Sequence, residues 1–147
     1  MATLRETEAD KKRQTRLFEV FSSHKELNFG QFSSSNKKYR IDGYLYDESK
    51  NIRAWVECKW YNNRAHCFLN VPKYKELISL SSTTTQPSFL LFREHNKWGY
   101  ICLHTGLEKG ATYDIRLTGG TPKGRVINED DIEPLVVLHK KFITWGN

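Results

Sequence analysis

The chain has 147 residues, enough for one domain, with hydrophobic residues at 38% and aromatics at 13% to build a core. Lys and Arg total 23 against 17 Asp and Glu, and this net charge of +6 favours polyanionic partners such as nucleic acid. The three cysteines (58, 67 and 102) form no CxxC pair, and no apolar stretch approaches a membrane span. These features argue against a disulfide framework, a zinc cluster and a membrane-spanning helix, and a soluble, cytoplasmic protein is expected.

Thr3-Leu-Arg-Glu6 matches a capping box and predicts a helix from there to about Ser22 or Leu27. Leu17, Phe18 and Phe21 form its buried seam, flanked by a polar stripe of Glu8, Lys12, Thr15 and Glu19. Residues 28 to 38 read as a loop, rich in Ser and Asn and carrying Lys37 and Lys38. A strand is expected from about Tyr39 to Tyr46, a turn over Asp47 to Asn51, and a second strand from about Ile52 to Tyr61, together an antiparallel hairpin. In the second strand Ile52, Ala54, Val56 and Cys58 alternate with Arg53, Trp55, Glu57 and Lys59. Pro72 suits the start of a helix from about Val71 to Ser81. Ser88 to Arg93 and Trp98 to Leu103 are apolar runs predicted as strands, Gly106 to Gly124 is loop-rich, and Leu135 to Leu138 is a last short strand. The order predicts an α/β domain with a mixed central sheet flanked by helices.

The chemistry concentrates between residues 40 and 60. Glu57 and Lys59 lie two apart, on one side of their strand, with Cys58 on the other. Glu57 stands in an aromatic and apolar strand between Trp55 and Trp60, where a charge seldom enters without a partner or a metal. Asp42 occupies a strand position that aspartate disfavours. Two carboxylates converging on one point can hold a divalent cation, and a lysine beside them can steady a phosphate or position a water. That set suits metal-dependent phosphodiester cleavage.

Asp42, fourteen intervening residues and Glu57-Cys-Lys59 resemble the signature of the PD-(D/E)xK nuclease superfamily, which includes restriction endonucleases, archaeal Holliday-junction resolvases and phage nucleases. The element order from about Thr15 to Leu103 is also that of the family core, a restriction-endonuclease-like fold. Residues 104 to 147 would then be a C-terminal elaboration of a single nuclease domain. Arg40-Ile-Asp-Gly43 with Ala54-Trp-Val-Glu-Cys-Lys59 looks most like small phage-type members, although Ile41 replaces the motif proline. The resemblance implies a DNA nuclease whose Asp42 and Glu57 ligate Mg²⁺ or Mn²⁺, with the backbone carbonyl of Cys58 completing the protein ligands. Lys59 would orient the attacking water and oppose developing charge, and the product would carry a 5′-phosphate. A further glutamate from the first helix is implied, best matched by Glu19 in Arg16-Leu-Phe-Glu19, with Glu8 the alternative on the same stripe. A basic residue on the second helix is implied as well, and Lys73 or Lys75 meets that description. If the chain is phage-encoded, its setting is the host cytoplasm. Resolvases of the superfamily are dimers, which leaves a homodimer open.

Lys37, Lys38, Arg40, Arg53 and Arg64 are candidates to track a DNA backbone, and Trp55, Trp60 and Tyr61 candidates to stack on bases, with core packing the competing role. The five histidines are scattered without metal spacing, and Gly119-Gly120 lacks a phosphate-loop context. The rival readings are a non-catalytic nucleic-acid-binding module on the same fold and a basic interaction protein whose hairpin is coincidental.

Overall fold

The computed structural model describes residues 8–32, 41–61, 66–94, 96–103, 112–117 and 132–146. Helix α1 (Glu8–Lys25) contains no Gly or Pro. It ends where Glu26 turns left-handed at φ 56° and Leu27 N–H donates to the Ser22 carbonyl at 2.9 Å. The expected capping box at Thr3 lies outside the described residues.

Strands β1 (Asn28–Gln31), β2 (Gly43–Tyr46), β3 (Ile52–Tyr61), β5 (Ser88–Glu94), β6 (Lys97–Cys102) and β9 (Thr144–Trp145) form the central sheet, in the order β1-β2-β3-β5-β6-β9. Its strands pair antiparallel except β3 and β5, which run parallel. The parallel connection passes through β4 (His66–Asn70) and helix α2 (Val71–Thr84). A second sheet, β4-β8-β7, adds β7 (Thr112–Leu117) and β8 (Ile132–His139). The expected mixed α/β architecture is the one found.

Two cores sandwich the central sheet. Leu17, Phe18 and Phe21 of α1 pack on Leu45, Ala54, Val56, Cys58, Phe89 and Leu91. On the other face, Leu77 of α2 and Leu69, Val136 and Leu138 of the second sheet cover Trp55, Leu90 and Phe92. Both faces of β3 and β5 are therefore buried, as a parallel pair between layers requires. Glu57 has no solvated face to occupy.

Several expectations are corrected. Asn28–Gln31 is a strand, not loop, because Phe29 stacks on Phe18 at 5.5 Å and the ladder to β2 holds it. The Tyr44 ring lies so close over Gly30 that a Cβ there would meet it at 2.3 Å, so glycine marks a close approach here. Strand β2 begins at Gly43, and Asp42 just precedes it, although the Asp42 carbonyl already accepts from Phe32 N–H at 2.9 Å. The alternation in β3 breaks at a bulge between Leu45 and Tyr46, which sends Ile52 to the α2 side. β7 lies within the expected loop region, and β8 is longer than expected, since the two stabilise each other through contacts distant from the central sheet's register.

Candidate active site

Strand register brings the acidic pair together. Gly43 pairs with Val56, so in the same register Asp42 falls opposite Glu57, and opposed residues of an antiparallel pair share a face. Asp42 is tied there by its own carboxylate, whose Oδ2 accepts the Cys58 N–H at 2.8 Å. Gly43 permits this path: a Cβ would meet the Gly30 carbonyl oxygen at 2.2 Å and the Phe18 ring at 2.7 Å.

Glu57 is only 2% exposed. Its Oε2 accepts from Lys73 Nζ at 2.7 Å and has Lys59 Nζ at 3.9 Å, while Oε1 is buried with no hydrogen-bond partner among the described residues. Burial pushes its carboxyl up from the usual 4.5 to about 8, and the neighbouring Asp42 carboxylate pushes the same way. Lys73 and Lys59 pull against that rise without cancelling it. Burial works against the Lys73 charge, but Glu57, Asp42 and Glu76 outweigh it and raise its affinity for the proton.

Lys73 reaches Glu57 from the first turn of α2. Asn70 caps that helix, its side-chain oxygen accepting Lys73 N–H at 2.8 Å, and Pro72 fits the opening turn. A cation at a helix N-terminus opposes the dipole, so Lys73 sits where helix physics alone would not put it. The resemblance implies only a basic residue on this helix, Lys73 or Lys75; the contact of Lys73 with Glu57 and the Asn70 cap come from the folded chain. The Asn-Val-Pro opening of the helix was the available signal for the cap.

The other expected residues divide. Cys58 lends its N–H to Asp42 and buries its side chain in the α1-side core. Lys75, two residues from Lys73, is exposed on another side of α2, and exposed Arg53 pairs with Asp47 at 3.7 Å at the distant end of β3. Neither is brought to the acidic pair. Glu19 is exposed beside Lys11, Lys12 and Arg16. Among the described residues no three His, Cys, Asp or Glu side chains gather, so Glu19 and Glu8 do not join Asp42 and Glu57 here. The α1 seam explains this: Leu17, Phe18 and Phe21 face the sheet, which turns Glu19 toward solvent. Trp55 is buried and gives its indole N–H to Thr84 Oγ1 at 3.0 Å, so it packs rather than stacks on bases. Lys37, Lys38, Arg40 and Arg64 lie outside the described residues, as do the side chains of Trp60 and Tyr61.

The donor set fits a hard divalent cation. The half-buried Asp42 carboxylate raises the cost of charging buried Glu57, and one Glu57 oxygen lacks a hydrogen-bond partner among the described residues. An oxygen-seeking cation such as Mg²⁺ or Mn²⁺ would satisfy that oxygen and neutralise the pair.

No protein-family profile matches the sequence, and neither does any curated protein. Among solved structures, Hjc, a Holliday junction resolvase from the archaeal hyperthermophile Archaeoglobus fulgidus, is similar with a TM-score of 0.55 over 89% of each chain, at 7% sequence identity. At that identity the likeness speaks for architecture alone, and the chain has the restriction-endonuclease-like fold.

Proposed function

We propose that the protein is a metal-dependent nuclease that hydrolyses DNA phosphodiester bonds. The observation that carries this reading is Glu57: a buried acidic side chain opposite Asp42, held by Lys73 and with one oxygen lacking a hydrogen-bond partner among the described residues. A structural ion pair needs neither a second acid nor an orphaned oxygen. The likeness to a protein named as a Holliday junction resolvase supports the same chemistry on the same architecture.

Asp42 and Glu57 are the residues to hold Mg²⁺ or Mn²⁺. When bound, that cation supplies charge neutralisation at the phosphate and a more acidic water. Asp42 is oriented for its part by the Cys58 N–H. Lys59, half-buried on the Glu57 side of β3, stands where its ammonium can order the water and oppose the negative charge that grows on phosphorus. Lys73 keeps Glu57 compensated before substrate arrives and offers a second ammonium to a phosphate oxygen. Water adds across a P–O bond, leaving a phosphomonoester and a hydroxyl. A phage-type origin and a cytoplasmic setting belong to the same reading. They rest on the Arg40–Lys59 motif and on cysteines without a pairing motif.

The test incubates supercoiled, linear, nicked and four-way-junction DNA with the protein and Mg²⁺ or Mn²⁺, with an EDTA control. Cleavage by the parent, none by Asp42→Asn or Glu57→Gln, and far slower cleavage by Lys59→Ala is expected. DNA binding without cleavage by any of the four would favour the non-catalytic module instead.

A further inference from the structure

On the face of the central sheet opposite Glu57, two adjoining grooves run beside α1 and share Arg16. One, of about 400 Å³, carries Lys11, Lys12 and Arg16. The other, of about 150 Å³, carries Arg16, Arg93 and Lys97 beside Val20 and Trp98. Five cations thus line the two grooves, against one lining carboxylate, Glu19, with Glu8 standing 3.9 Å from Lys11. Lys11, Lys12, Arg16 and Lys97 are all exposed. Val20, at 37% the exposed large hydrophobic residue among those described, lies on the same wall.

The location follows from strand alternation. Phe89 and Leu91 belong to the α1-side core, so Arg93 further along β5 projects to that side. Trp55 and Leu90 belong to the α2-side core, and Glu57, two residues from Trp55, faces that way. Groove and acidic pair therefore lie on opposite faces of one sheet. Lys12 and Arg16 stand about 6 Å apart along the helix axis, which spans roughly two phosphates of a strand.

We propose that this groove is a second DNA-contact surface, which takes the phosphodiester backbone of a duplex arm other than the one presented to Asp42 and Glu57. The proposal rests on the nuclease reading and narrows its substrate class to branched DNA. One straight duplex laid against the α2 face does not lie in the α1 groove, because the sheet and its covering layers stand between. DNA with diverging arms reaches both. The contact is electrostatic, so it supplies affinity and orientation without reading sequence.

The experiment measures binding by fluorescence anisotropy in EDTA, across a salt series, with a labelled four-way junction and a linear duplex of equal length. The Lys12→Ala/Arg16→Ala/Lys97→Ala variant is expected to bind the junction at least tenfold more weakly. Its slope of log affinity against log salt should fall by roughly 2–3, near 0.9 for each phosphate contact removed. Linear duplex binding should change by less than threefold. Glu19→Gln removes the lining carboxylate and should tighten junction binding, and it carries the test alone if the triple variant unfolds. Junction binding unchanged in both variants overturns the proposal. So does an equal loss for both DNAs, or a parent that binds phosphatidylglycerol vesicles and no DNA. The nuclease reading fails separately: the parent would bind the junction through the groove, yet leave every DNA uncut with Mg²⁺ or Mn²⁺.

Discussion

Glu57 should make the metal-free protein lose stability as pH rises, and its neutral isostere should not. Its carboxyl titrates at about 8 in the folded chain against 4.5 when unfolded, so between those values the folded state holds the extra proton. A raised value contributes stability that is complete below the unfolded value and lost as pH climbs through the folded one. Lys73, also raised, loses its contribution only above its ordinary 10.5 and stays constant in this window. One linked proton is worth about 1.4 kcal/mol per pH unit, so going from about pH 5.5 to 7.5 should remove on the order of 2–3 kcal/mol. For a domain of this size that is a fall in Tm of roughly 5–10 °C. The assay is thermal melting in EDTA across that range, with Glu57→Gln subtracted to remove the other titrating groups. Saturating Mg²⁺ or Mn²⁺ should flatten or invert the parent's slope, since a cation requires the ionised carboxylate and stabilises by mass action. A parent whose Tm is level or rising over the window, or a Glu57→Gln protein with the same fall, would refute the argument from burial.

The two lysines should separate in kinetics. Lys59→Ala is expected to lower kcat on the order of 100-fold or more with little change in metal-induced stabilisation, as read by single-turnover cleavage and melting. Lys73→Met removes the closest partner of Glu57, so the Glu57 carboxyl should rise further and the metal-free fall of Tm with pH should continue past pH 8, where the parent's levels off. Asn70→Ala should cost about 1 kcal/mol in denaturant unfolding through loss of the helix cap. Gly43→Ala should destabilise and also weaken metal binding measured by calorimetry, because relieving the contact with the Gly30 carbonyl shifts Asp42.

Much of the candidate site was legible because it is local. Asp42, Glu57 and Lys59 share one hairpin, and two-residue alternation with a short turn sets which side chains meet across it. Lys73 was legible as a basic residue on the following helix, but its partner was not. Glu19 misled because its spacing on a polar stripe says nothing of how α1 rotates against the sheet, which Phe18 and Phe21 decide by burying themselves. Strands β4, β7 and β8 went partly unread because their pairings join residues far apart along the chain, such as His66 with His139.

By itself, then, the order of residues determined the helix seam, the hairpin with its acidic and basic side chains, the α2 start at Pro72 and the mixed α/β class. These depend on periodicity and turn chemistry within a few residues. Only the tertiary structure decided that Glu57 is sealed between two layers, that Lys73 and not Lys59 is its nearest cation, and that Arg16, Arg93 and Lys97 line one groove. Burial and charge proximity are properties of the packed sheet, and packing sums contacts that no local window contains.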